Sequence, residues 1–121
     1  MSVRRVVPNI RTTAGPTAEG MERTAEFYGR LGLREVMNHG WIMTLASASD
    51  PTAQLSVMGP DATAPVTPDL SIEVEDVDAV HAAMRESGAE IVYPLRDEEW
   101  GVRRFFVRDP NGQVVNVLGH R

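Results

Sequence analysis

The order of structural signals along this chain runs twice. Residues 6–10 read as a strand, a helix follows through residue 31, and Gly32 stops it. Three short strands then fall near residues 33–38, 41–46 and 53–58. The second pass begins with a strand at residues 70–74, a helix over 77–86 and a stop at Gly88. Strands near residues 90–93, 102–108 and 113–118 complete it. Each half is therefore βαβββ, and a repeat of that length restricts the chain to architectures built from two copies of one unit. The expected class is α+β. At 121 residues the chain is expected to form one domain over residues 1–121, with modules at about 1–58 and 69–121. Residues 59–68 carry three prolines and read as a linker.

Local chemistry supports the reading. Asp76 is placed to cap a helix whose Val77, Val80 and Met84 fall on one face, and Gly88 suits the left-handed position after its end. In the first half Thr17 is the candidate cap, and Met21, Ala25, Tyr28 and Leu31 form the expected buried stripe. Asp109-Pro110-Asn111-Gly112 is a turn sequence between two strands rich in Val and Phe. On residues 69–75, Leu70, Ile72 and Val74 point one way, and Asp69, Ser71, Glu73 and Glu75 the other. Both faces of residues 114–118 are largely apolar, so neither is expected to be bare to water.

Composition narrows the function. A net charge of −5 disfavours nucleic acid, whose phosphates need a basic surface. No cysteine is present, which excludes disulfides, thiolate nucleophiles and thiolate metal sites. No apolar run is long enough for a signal peptide or a membrane span, so a cytoplasmic location without membrane partners is expected. There is no Gly-x-Ser-x-Gly elbow for nucleophilic catalysis. The three histidines, His39, His81 and His120, have no ligand spacing.

Phe27-Tyr28 followed by Leu31-Gly32-Leu33, the run from Leu70 to Asp78 and the Asp109–Gly112 hairpin, in this order, resemble the vicinal oxygen chelate superfamily. That is the glyoxalase, bleomycin-resistance and extradiol dioxygenase group. The resemblance implies two modules with curled mixed sheets around a shared groove, and a homodimer. Metal enzymes of the group place ligands at positions matching Val7, Ser56 (Gln54 if the register slips by two), Asp69 and Asn116. Only Asp69 among them is a proper ligand for a divalent ion. No metal, no cofactor and no catalytic residue are therefore expected.

The same resemblance assigns the ligand-binding positions. They are Val7, Asn9, Trp41, Ser56 and Met58 from the first half. From the second they are Asp69, Ser71, Glu73, Trp100, Arg104, Phe106, Asn116 and Leu118. The implied function is binding of a small organic molecule, aromatic in character, as in the metal-free bleomycin-resistance branch. Aromatic faces would stack on a planar ligand, and Asp69 and Glu73 would pair with a cationic group. An antibiotic to be sequestered and an ordinary metabolite are both allowed. The alternative is an enzyme of the same superfamily, a glyoxalase-like lyase, isomerase or dioxygenase with an atypical site. It would use a shifted metal, or Asp69 or Glu73 as general base beside Arg104.

Overall fold

The computed structural model describes residues 2–12, 18–59 and 63–120. The architecture is α+β, with eight strands and two helices among the described residues. In chain order they are β1 (Val3–Arg11), α1 (Ala18–Gly29), β2 (Leu33–Asn38), β3 (Ile42–Ser47), β4 (Gln54–Met58), β5 (Leu70–Val74), α2 (Val77–Glu86), β6 (Ile91–Asp97), β7 (Val102–Arg108) and β8 (Val114–His120). They belong to two compact units. The first is residues 7–67, and the second is residues 68–120 together with residues 2–6, so the residues of β1 are divided between them. No helix among the described residues is long and apolar enough to cross a membrane.

In the first unit the strand order is β2-β3-β4-β1. β3 runs antiparallel to both β2 and β4, and β4 runs parallel to β1. Met43, Leu45 and Val57 turn to one face and pack with Met21 of α1, joined by Ala25 and Tyr28. The expected stripe ends there. Leu31 is 71% exposed, because α1 stops at Gly29 and Leu31 belongs to the following turn. Thr17, the expected cap, lies outside the described residues, as do residues 60–62 of the linker.

In the second unit the order is β1-β5-β8-β7-β6, with β5 parallel to β8 and the rest of the C-terminal hairpins antiparallel. α2 starts where the sequence places it. The Asp76 carboxylate accepts the Ala79 N–H at 3.0 Å, satisfying a donor that the first turn leaves without a helical partner. Gly88 ends the helix at φ 81°, and Ala89 N–H returns to the Met84 carbonyl at 3.2 Å. Val77 and Val80 bury against Val74, Phe105, Val107 and Val117. Asp109 fixes the β7–β8 turn by accepting the N–H groups of Asn111 and Gln113 on one oxygen, at 2.8 and 2.9 Å.

Candidate functional site

With one face of the second unit's sheet packed on α2, strand parity sends a defined set of side chains to the other. Ser71 pairs in register with Asn116, Glu73 with Leu118, Arg104 with Leu118, and Phe106 with Asn116. Six of the expected ligand-binding residues therefore share one surface: Ser71, Glu73, Arg104, Phe106, Asn116 and Leu118. β6 adds a seventh residue that sequence reasoning missed. Its register shifts on both sides of Tyr93, so that Tyr93 lies opposite Phe106 while Ile91 and Leu95 pack with the α2 core. A bulge re-aims a side chain in this way.

At one end of this face sits a buried charged cluster. Glu98, in the β6–β7 turn, is 3% exposed, and Arg104 is 2% exposed. Glu98 Oε1 receives the Tyr93 hydroxyl at 2.6 Å and lies 3.3 Å from Arg104 Nε and 3.4 Å from Arg96 Nε. The Arg104 guanidinium is also enclosed by rings. Its Cζ lies 4.9 Å from the Trp100 ring, 5.1 Å from Phe106 and 5.2 Å from Tyr93. Such contacts satisfy a cation that water cannot reach. Burial, and then the hydrogen bond to the anionic Glu98, push the Tyr93 hydroxyl above its ordinary pKa of 10.0, with Arg104 opposing the shift.

This cluster changes the roles expected of two residues. Phe106 is 0% exposed, so its ring supports Arg104 rather than presenting a flat face. Arg104 is committed to Glu98 and its aromatic cage, and does not stand ready as an oxyanion stabiliser. Trp100 is half-buried and remains the aromatic residue of the cluster with open surface.

The middle of the face is polar. Asn116 Nδ2 donates to Ser71 Oγ at 3.0 Å, while Asn116 Oδ1 is buried and has no hydrogen-bond partner among the described residues. Leaving such an acceptor without a donor costs about 1–3 kcal/mol. Glu73 was expected to attract a cationic ligand, but its charge is already matched. Arg5 Nε lies 2.6 Å from Oε1, and His120 Nε2 lies 3.7 Å from Oε2. Asp69 is likewise engaged, accepting the Val114 N–H at 2.8 Å while its own N–H donates to the Val114 carbonyl. It clamps the start of β8 to the start of β5.

In the first unit, Asn9 pairs in register with Ser56, and parity sets Val7, Asn9, Ser56 and Met58 on the face away from α1. Val7, Ser56 and Met58 are buried, and the Ser56 hydroxyl shares a 2.8 Å hydrogen bond with Thr44. Trp41 is half-buried in the turn before β3, where its carbonyl accepts the Gly59 N–H.

Taken one at a time, the four positions that the sequence resemblance marks for metal ligands do not fit a divalent ion. Val7 has no donor atom. The Ser56 hydroxyl is hydrogen-bonded to Thr44, Asp69 holds the Val114 N–H, and Asn116 is a neutral amide held to Ser71. Hard divalent ions need more carboxylate or imidazole than this. Among the described residues no three His, Cys, Asp or Glu side chains are grouped to hold a metal.

Comparison with known proteins decides the family. Residues 17–117 match the sequence profile of the glyoxalase/bleomycin resistance protein/dioxygenase superfamily. The chain belongs to that superfamily. Structures of low sequence identity share its fold. A glyoxalase/bleomycin resistance protein/dioxygenase superfamily member from Vibrio splendidus 12B01 is 15% identical, with TM-score 0.66, covering 98% of this chain and 99% of that one. Methylmalonyl-CoA epimerase from Mycobacterium tuberculosis is 20% identical, with TM-score 0.65, covering 98% and 87%. An NAD-dependent benzaldehyde dehydrogenase from Legionella pneumophila is 16% identical, with TM-score 0.66, covering 96% and 97%. At these identities the likeness speaks to fold alone. No curated protein matches the chain at a significant level.

Proposed function

We propose that this superfamily member is a metal-free small-molecule-binding protein whose ligand lies on the sheet face of the second unit that is turned away from α2. The observation that carries this reading is Asn116. The family's metal-ligand position holds a neutral amide, anchored by Ser71 and carrying a buried acceptor that calls for a donor. A ligand N–H or O–H supplies one. Trp100 offers a ring for stacking at the edge of the charged cluster, with Arg104 on its face. Because Arg5 already neutralises Glu73, the favoured ligand is an aromatic molecule with a hydrogen-bond donor rather than a strong cation.

In this reading Val7, Asn9, Ser56 and Met58, which share the first unit's face turned away from α1, and Trp41 in the turn before β3 are the first half's candidate ligand-binding residues. The protein sequesters its ligand unchanged, an antibiotic or a metabolite of this class, in the cytoplasm and as a homodimer. The enzyme alternative is less well supported, because Asp69 holds a backbone N–H, Glu73 is ion-paired and Arg104 is caged.

Tryptophan fluorescence titration against a panel of aromatic natural products tests the proposal. Micromolar quenching is expected, with the ligand recovered intact. Trp100→Ala should weaken affinity about 2–12-fold, the worth of one stacking contact. Asn116→Ala should weaken it about 2–12-fold, the worth of one neutral hydrogen bond. Affinity unchanged in both variants would remove the ligand from this face.

A further inference from the structure

The opposite face of the same sheet carries a second feature. α2 is ten residues long and packs chiefly over β6, β7 and β8, reaching β5 through Val77 and Val80 against Val74, so that Ile72 of β5 lies at the margin of that packing. A cavity of about 770 Å³ opens there, next to Ser2 and Val3. Its walls are apolar: Ile72, Val107, Val115 and Val117 from the sheet, Val80 and Met84 from the helix. A dry void of that volume would be far too costly for a domain of ordinary stability, so the cavity is open to solvent. Its size is that of small-molecule pockets, and Met84 gives one wall an adaptable shape.

The rim decides what kind of molecule fits. Glu90, Arg108 and Asp109 line it, two acids against one base. Arg108 is committed, with Nε 3.4 Å from Glu90 Oε2 and Nη1 donating to the Gly112 carbonyl at 3.0 Å. Asp109 spends Oδ1 on two backbone N–H groups of the turn. Glu90 Oε1 and Asp109 Oδ2 have no protein hydrogen bond among the described residues, and with Arg108 set against Glu90 the rim still keeps one net negative charge beside an apolar cavity.

We propose that this cavity is a second binding site, separate from the Trp100 face, for an apolar organic amine: the hydrocarbon body between α2 and β5, the ammonium group on Glu90 and Asp109. Such a pairing matches charge at the mouth and buries apolar surface inside.

Isothermal titration calorimetry with decylamine and with decanoate at neutral pH, neither of them aromatic, tests it. Decylamine should bind about tenfold more tightly than decanoate, since attraction replaces repulsion at a half-exposed rim. Glu90→Gln, a surface change, should reduce that preference about threefold. Val115→Trp, checked for folding by circular dichroism, should abolish decylamine binding by filling the cavity; Ile72→Phe serves if it does not fold. Decylamine affinity that is the same in Trp100→Ala protein separates this site from the ligand face. Equal or tighter binding of decanoate overturns the proposal. So does decylamine binding that is lost as the protein self-associates, which would assign the cavity to contact between copies.

Discussion

Replacing Glu98 by Leu removes the acceptor on which Tyr93, Arg96 and Arg104 converge. Arg96 is 53% exposed at its side chain, so water re-solvates it and its share of the loss is small. Arg104 is 3% exposed at its side chain and keeps its charge in a place water does not reach. Breaking a buried pair from one side costs about 3–5 kcal/mol. The rings of Trp100, Phe106 and Tyr93 stay over the guanidinium and hold the cost to the lower part of that range, about 3–4 kcal/mol. For a chain of this length each kcal/mol moves Tm by roughly 3–5 °C, so Glu98→Leu should melt about 10–20 °C lower. Glu98→Leu with Arg104→Met removes both charges and should recover most of that loss, because two apolar residues of similar volume replace the pair. Urea unfolding of the wild type, both single variants and the double variant yields the coupling energy. A Glu98→Leu cost below about 1 kcal/mol, or simple additivity in the double variant, would refute the buried-pair reasoning.

Alkaline pH tests the same cluster from another side. The folded pKa of Tyr93 lies above the unfolded value of 10.0, so the folded state keeps a proton that the unfolded chain loses. The stability tied to that proton is fully present below pH 10 and falls as pH rises from there through the folded value. Tyr93→Phe should flatten this fall, and with no lysine in the sequence few other groups titrate there. Asp76→Ala should destabilise by about 1 kcal/mol through loss of the α2 cap, read by denaturant midpoint. Phe105→Ala should cost about 3–5 kcal/mol, since Phe105 is 0% exposed at the centre of the α2 core. Light scattering should give a dimer mass at micromolar concentration, with Phe27, Leu31 and Val36 as exposed apolar residues to be covered; a monomer mass contradicts this.

Much of the fold was legible because its signals are local. α2, β2, β5 and β7 begin and end at the expected residues, since an N-cap, a terminal glycine and period-two apolar runs mark them without help from tertiary contacts. β1 starts earlier than expected, at Val3, because Arg4-Arg5 reads as polar loop until Arg5 is seen paired with Glu73, 68 residues away. β6 runs on through Pro94 to Asp97, as an edge strand with bulges can. Leu31 was misread because apolar spacing continued past the end of the helix. Among the candidate site residues, parity put Ser71 with Glu73 and Asn116 with Leu118, the family resemblance added Arg104 and Phe106, and the strand register places all six on one face. Parity could not show that Glu98 is buried: Asp97-Glu98-Glu99 looks like a solvated charge run, and only the arginine beneath it makes the middle acid part of the interior. Tyr93 was hidden for a related reason, since bulges break the alternation on which face assignment rests.

Binding at this face is proposed to need no metal. The most direct measurement is the dissociation constant of an aromatic ligand, by tryptophan fluorescence, for protein stripped with chelator and for protein re-equilibrated with zinc, nickel, manganese or iron. Elemental analysis of each sample accompanies it. The same constant is expected in every sample, with less than one equivalent of metal per chain after dialysis. A full equivalent of one ion, with affinity lost on stripping and restored by that ion alone, would contradict it.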